Sequence, residues 1–494
     1  METLFQNGRK KTHRILTFIR NKGITVRLGM RYFSIKDACD GEKRMSKRTT
    51  DMTSGSPAKH ILSFAGPLIL TNMGQQLYMI ADGAIVGRGV GVKALAAVGA
   101  TDWCYWLVLW TVGGLAQGFS TFVSRAFGEK NYREMNRAIA MSAELCVLIG
   151  SLLTIFGLAA AQPVLKLLNT PEDILPGACG YLMTMFSGTL IVMGYNMAAA
   201  ILRALGDGKT PLRAMAVAAV LNITLDCLFV FGFKWGIIGA ALASVLSQAV
   251  SCLYCIAAIS KIDCIWFDRQ TWRPEQDRLK RMLLFGVPIA LQYVVITLGG
   301  MVVQSSINLQ GSIFIAGYTA THKLYGLLQC FAMSLGLASC TFIAQNYGAG
   351  LYDRVRKGVE ASVKIVALMA VVITGITLLS RWQILRVFLD VNEAGGWEAL
   401  AVSVRYLTIM SLCFMILHIL HVFRNVLQAM GISIWSMISG FAELIPRVLM
   451  SKVVINWIGS DALFIAEPAS WLGAMLCVLL PYFYYRKKLL GNQE

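Results

Sequence analysis

Apolar runs separated by short polar breaks recur twelve times along the chain. Each reaches the roughly 20 residues that a helix needs to cross a hydrocarbon core of about 30 Å. The breaks predict helices over 61–89, 92–127, 134–168, 174–205, 211–233 and 236–261, then over 281–308, 312–347, 354–389, 397–430, 433–457 and 461–486. Between the two sets lies KIDCIWFDRQTWRPEQDRLKR, whose density of charge marks a linker. The expected organisation is a basic segment 1–59, a six-helix lobe 60–261, a cytoplasmic linker 262–280, and a second six-helix lobe with a short basic tail, 281–494.

The lobes are related by an internal repeat. GFSTFVSRAFGEKNYREMNRAI aligns with ASCTFIAQNYGAGLYDRVRKGV at an offset of 220 residues, pairing Gly128 with Gly348 and Tyr132 with Tyr352. The same offset pairs Ala100, Thr101 and Tyr105 with Ala320, Thr321 and Tyr325, while Pro67 and Pro288 are 221 apart and Gly206 and Gly431 are 225 apart. Six helices separate equivalent positions, so both lobes enter the membrane with the same orientation, related by a pseudo-two-fold along the membrane normal. The fold class is therefore an all-α polytopic membrane protein of twelve transmembrane helices in two pseudo-symmetric lobes. Two bundles rocking about a midline cavity is the machine this predicts.

Composition excludes a soluble enzyme. Of 494 residues, 56% are hydrophobic and 15% charged, and the mean hydropathy is +0.60, leaving too little polar surface to coat a water-soluble body. A net charge of +18 does not point to nucleic acid, because 14 basic against 5 acidic side chains sit in residues 1–60 and most of the remainder in short loops. With the N-terminus inside, twenty Lys and Arg of the short connections, Arg203 and Arg424 among them, fall on the cytoplasmic side and seven on the other. Both termini are accordingly expected in the cytoplasm. Residues 1–59 contain no spanning segment, and two readings stay open: an extension upstream of a start at Met45 or Met52, or a basic arm lying on anionic lipid. The twelve cysteines lie mostly in apolar runs and read as small hydrophobes, including the Cys252-x-x-Cys255 pair; neither disulfides nor zinc are expected.

Ionisable groups in the apolar segments are few, and each needs a partner or a task. Counting inward from the outer helix ends, Asp82, Asp226 and Ser244 lie at matching depth, roughly 10–12 Å below the surface at about 1.5 Å per residue. Asn222 is one turn from Asp226, and Gln75 and Tyr78 share the face of Asp82, which predicts a polar cluster within the first lobe. Two carboxylates in a poorly solvated site do not readily both ionise alone, so a proton or sodium ion is the natural occupant. Each aspartate satisfied locally is the competing reading. In the second lobe Lys323, Glu443 and Arg447 lie near mid-depth, and a structural ion pair to Glu443 is favoured over contact with substrate. His418 and His421 are spaced i, i+3 without matching ligands, so no metal site is expected there.

At these residues the chain resembles the multidrug and toxic compound extrusion (MATE) family. The matching stretches are IADGAIVGRGVGVKALAAVGA, LRALGDGKTPLRAMAVAAVLNITLDCLFVFGFKWGIIGAALASVLSQ, HKLYGLLQ, QNYGAG, and FAELIPRVLM followed by AEPASWL, and the resemblance spans about 60–488. It implies a plasma-membrane antiporter that exports organic cations and other amphipathic compounds in exchange for protons or sodium, not an enzyme, with no cofactor beyond the coupling ion. In prokaryotic relatives with the coupling site in the first lobe, the site positions fall here on Asp82, Asn222, Asp226 and Ser244, and the hinge proline on Pro67. Gln75 and Tyr78 match cavity-lining positions, and Lys323, Glu443 and Arg447 are the second-lobe candidates for substrate contact. Another branch carries acidic groups on the seventh and tenth helices; this chain has none within the apolar body of either. The alternative is a flippase of lipid-linked saccharides from the same superfamily. The expected partners are small amphipathic or cationic molecules and the lipid bilayer, with the protein a monomer.

Overall fold

The computed structural model describes residues 49–490 apart from 169, 267, 269, 390, 393 and 394. The basic segment up to residue 48, with both readings of it, lies outside the described residues. Among the described residues there is no strand. Every long apolar run is a helix, because in lipid the backbone's hydrogen bonds must close within the segment that carries them.

The first lobe comprises α1 (Pro57–Gly89), α2 (Val92–Gly128), α3 (Tyr132–Leu167), α4 in two pieces (Leu175–Ser187 and Thr189–Ala204), α5 (Lys209–Asp226, continued by a π-helical turn over Cys227–Gly232) and α6 (Gly236–Ile259). The second repeats it with α7 (Gln276–Ile307), α8 (Ser312–Gly348), α9 (Tyr352–Leu385), α10 in two pieces (Gly396–Leu412 and Phe414–Ala429), α11 (Ile434–Leu449, continued by a π-helical turn over Met450–Val454 and a last turn over Ile455–Ile458) and α12 (Asp461–Leu490). Counting each bent pair as one span, ten of the twelve are long and apolar enough to cross a bilayer by composition alone. Large apolar side chains such as Leu148, Phe156, Leu253, Leu368, Leu379 and Leu480 remain exposed on the helices, the surface that lipid covers.

Two features depart from the sequence pattern. The fourth and tenth helices, expected as single spans, bend by 45° and 49° at Gly188 and Cys413. No proline marks either break. At Gly188 the neighbouring helix packs closely: a Cβ there would lie 2.6 Å from a methyl of Val245. Thr50–Lys261 and the chain from Ile265 onward form one compact body. Arg424, counted among the cytoplasmic cations, is only 4% exposed inside the second lobe.

The lobes meet along α2 with α7 and α1 with α8. The first half of α1 belongs to the second lobe's packing: Ile61, Phe64, Ala65 and Leu68 join a buried cluster with Leu335, Phe342, Phe414 and Trp471. Its second half belongs to the first lobe, where Val86 packs with Ala97, Ala178, Leu182 and Val230. The helix runs unbroken through Pro67, between these two loyalties, where the missing N–H deletes one rung of the ladder.

Candidate functional site

Polar groups collect in three places. The first is inside the first lobe. Asp82 on α1 and Asp226 on α5 face one another. Asp226 is fully buried, and no N–H or hydroxyl donor reaches either of its oxygens; Asp82 Oδ1, Asn222 Oδ1 and Gln248 Oε1 are likewise buried without a donor. One turn back from Asp226, Asn222 donates through Nδ2 to Ser244 Oγ at 3.3 Å. Gln248 lies one turn beyond Ser244 on α6. A small cavity of about 20 Å³, room for one water-sized occupant, opens between Gln75, Tyr78, Asn222, Ser244 and Gln248.

This arrangement is rich in acceptors and poor in donors. An uncompensated buried acceptor costs free energy, and two opposed carboxylates add mutual repulsion, so such a cluster would gain stability from a cation or a shared proton. Asp226 is the last α-helical residue of α5, directly before the π-helical turn Cys227–Gly232. Asp102 on α2 is the next carboxylate, close enough to feel the charge of Asp82.

The second place is a cavity of about 210 Å³ between the lobes, walled by α1, α2, α4, α7, α8 and α10. Trp106, Trp110, Tyr293, Met79 and Met333 supply apolar surface; Gln75, Gln76, Gln117, Asn196 and Asn425 supply amides. Trp110 and Tyr293 stack across the lobe boundary with ring centres 5.4 Å apart. Among the described residues Arg203 is its one lining residue with a permanent charge, and no carboxylate lines it.

The third place is inside the second lobe. Glu443 pairs with Arg424 and, at 3.4 Å, with Arg447. Arg447 reaches Glu467 at 2.7 Å and the Ile296 carbonyl at 3.1 Å, and Arg424 donates to Ser439 Oγ at 3.0 Å. Two arginines and two glutamates thus balance while tying α7, α10, α11 and α12 together.

The structure therefore gathers Asp82, Asn222, Asp226 and Ser244 into one region. Gln75 lines both cavities, and Tyr78 lines only the small one. Lys323 is exposed and, with Glu443 and Arg447, does not line the central cavity. The two buried charges belong to the balanced network instead. Among the described residues no group of three His, Cys, Asp or Glu side chains is arranged to hold a metal. His418 gives its Nδ1 to the Phe414 carbonyl, whereas His421 faces the central cavity. Sequence reasoning missed Gln248, Arg424 and Glu467. The spacing of Gln248 from Ser244 was a usable signal; the partnership of Arg424 with Glu443, on separate helices, left none.

The MatE family profile matches residues 67–228 and 288–453. The chain is similar to the probable multidrug resistance protein YpnP of Bacillus subtilis (strain 168), with 34% identity over 308 residues covering 62% of this chain and 68% of the relative. It is also similar to the probable multidrug resistance protein YoeA of the same organism, with 27% identity over 437 residues, 86% of this chain and 93% of the relative. In fold it matches an outward-facing multidrug resistance MATE family transporter of the MOP superfamily at a TM-score of 0.82 and 21% identity, over 91% of this chain and 99% of that one. A MOP superfamily transporter from Pyrococcus furiosus Vc1, described as having a binding pocket of reversed polarity that suggests a different function, matches at a TM-score of 0.80 and 20% identity, over 92% and 100% of the two chains.

Proposed function

The chain belongs to the MatE family of multidrug efflux transporters, and from that premise we propose that it exports amphipathic compounds, organic cations among them, in exchange for a proton or sodium ion bound between Asp82 and Asp226. The observation that carries this reading is the set of buried oxygens without donors: Asp82 Oδ1, both oxygens of Asp226 and Asn222 Oδ1. Unpaired acceptors at one depth, spread over α1 and α5, make the packing of the first lobe depend on whether a cation is present. A ligand moves a two-state equilibrium only through its differential affinity for the two states, and this cluster supplies one. In this reading Pro67 is where α1 bends as its two halves follow different lobes.

Substrate would occupy the central cavity, held by aromatic faces and amides; a cationic substrate gains from the faces of Trp106, Trp110 and Tyr293. Ion and substrate then oppose each other through the conformational equilibrium rather than by sharing ligands. In this reading both termini lie in the cytoplasm and the chain acts in the plasma membrane as a monomer. A lipid-linked diphosphate would want several cations in the cavity, and among the described residues Arg203 is the one permanent charge lining it. The test is uptake of a fluorescent organic cation by proteoliposomes under a pH gradient, a sodium gradient or neither, for wild type and Asp82→Asn. Transport driven by one gradient and lost in the variant supports the reading. Full gradient-driven export by Asp82→Asn overturns it.

A further inference from the structure

We infer that residues 50–56, the segment before α1, form a strap that rides with the second lobe and locks the inner ends of the two lobes together, so that opening the cavity on that side requires the strap to detach from the first lobe. The inference rests on the alternating-access reading above but concerns a different part of the molecule.

The lobes are sealed at one end by two latches related by the internal repeat. Arg125 on α2 donates Nε and Nη2 to the carbonyl of Ala429, the last residue of α10, at 3.0 and 2.6 Å. Gln345 on α8 donates Nε2 to the carbonyl of Ala204, the last residue of α4, at 3.0 Å. Arg125 and Gln345 are 220 residues apart and Ala204 and Ala429 are 225 apart, the offsets of the repeat itself. Each latch caps a helix C-terminus of the opposite lobe with a side chain that satisfies an otherwise orphaned carbonyl. Between them the helices cross backbone to backbone. A Cβ on Gly128 would lie 1.9 Å from the Gln345 carbonyl oxygen, and one on Gly348 2.3 Å from that of Arg125.

The strap breaks this symmetry. Met52 is 1% exposed and packs with the second-lobe cluster. Its N–H donates to Gln345 Oε1 at 3.0 Å, and its carbonyl accepts from Asn346 Nδ2 at 3.1 Å and Arg354 Nη2 at 3.0 Å. Arg354 Nη1 also reaches the Gly55 carbonyl at 2.9 Å. An Asp51 carboxylate accepting from the Thr53 N–H at 2.8 Å keeps the segment folded back. Against these four bonds and one buried side chain, the strap's one backbone bond to the first lobe among the described residues runs from the Thr50 N–H to the Leu205 carbonyl at 3.0 Å. That bond needs Gly206, at φ +79°, where a Cβ would lie 2.6 Å from the Thr50 carbonyl oxygen. The line of parting therefore runs through Thr50–Leu205, Gln345–Ala204 and Arg125–Ala429. Gln345 is the shared node: one amide orients the strap with its oxygen and closes the lobes with its nitrogen.

The test uses the full chain in membrane vesicles with its native cysteines replaced and a reporter at Ser120→Cys, a cavity-lining position on the outer side of the latches. Labelling by a membrane-impermeant maleimide applied from the strap side reports opening there. Gln345→Ala removes two bonds and is expected to raise that labelling rate roughly tenfold, and Met52→Ala severalfold. Parent-like rates in both folded variants overturn the inference. Hydrogen exchange of the unmodified protein guards against variants that fail to fold. The Thr50 amide is expected to exchange together with those at the inner ends of α2 and α8, while the Met52 amide exchanges more slowly than Thr50. Fast exchange of both strap amides under every condition overturns the strap. Both readouts compare variants with wild type without substrate and at one fixed ionic condition and need no gradient, so loss of gradient-driven transport with these shifts intact would count against the antiport reading alone.

Discussion

Asp226→Asn probes the first-lobe cluster directly. Its carboxylate is fully buried, has no donor, and faces Asp82. With the site empty, two unit charges about 4 Å apart at an effective dielectric of about 20 repel by about 4 kcal/mol, roughly a thousandfold in the affinity of a cation that relieves them. The substitution removes that repulsion and one ligand while changing volume little. Gradient-driven uptake in proteoliposomes, titrated against sodium and against pH on the side opposite the substrate, is expected to lose its ion dependence in Asp226→Asn. Asp82→Asn should behave the same way, and the double variant should be no worse than either, because each single change already dissolves the pair. Wild-type ion dependence in Asp226→Asn, or losses that simply add, would refute the paired-carboxylate reasoning.

Pro67→Ala restores an N–H in the middle of α1 and is expected to keep or raise the unfolding temperature in detergent while slowing transport; unchanged turnover would show that α1 need not bend there. Glu443→Gln leaves Arg424 and Arg447 with Glu467 alone, and breaking a buried pair of this kind costs about 3–5 kcal/mol, so the variant should unfold at markedly lower temperature. An unchanged transition would contradict the structural role assigned to the network. Gly348→Val drives a branched side chain into the Arg125 backbone and should hold the inner ends apart, read as faster labelling of Ser120→Cys from the strap side.

Much of the candidate site was legible because depth in a membrane is legible. A rise of about 1.5 Å per residue converts position along a span into height. Asp82, Asp226 and Ser244 could be matched in this way without knowing which helices touch. Rotation about each helix axis and the neighbour across it carry no such ruler. Arg424 looked like a loop cation near a helix end, and only the fold back of α11 and α12 onto α10 turned it inward to Glu443. Lys323 looked as deep as Arg447, yet it stands exposed on α8 while Arg447 is held by two glutamates.

Spacing of apolar runs, loop charge and the 220-residue repeat determine the membrane class, twelve helices, their pairing into equivalent lobes and the identity of the conspicuous polar residues. These follow from local physics: an unpaired backbone cannot cross lipid, so each apolar run closes its own hydrogen bonds and shows its length in the sequence. Tertiary packing alone decided the bends at Gly188 and Cys413, the divided loyalty of α1, the balanced charges of the second lobe and the strap over the inner latches. Each of these depends on contacts between residues tens to hundreds of positions apart, such as Met52 with Gln345 or Arg125 with Ala429. Their energies come from complementary surfaces that no single helix carries.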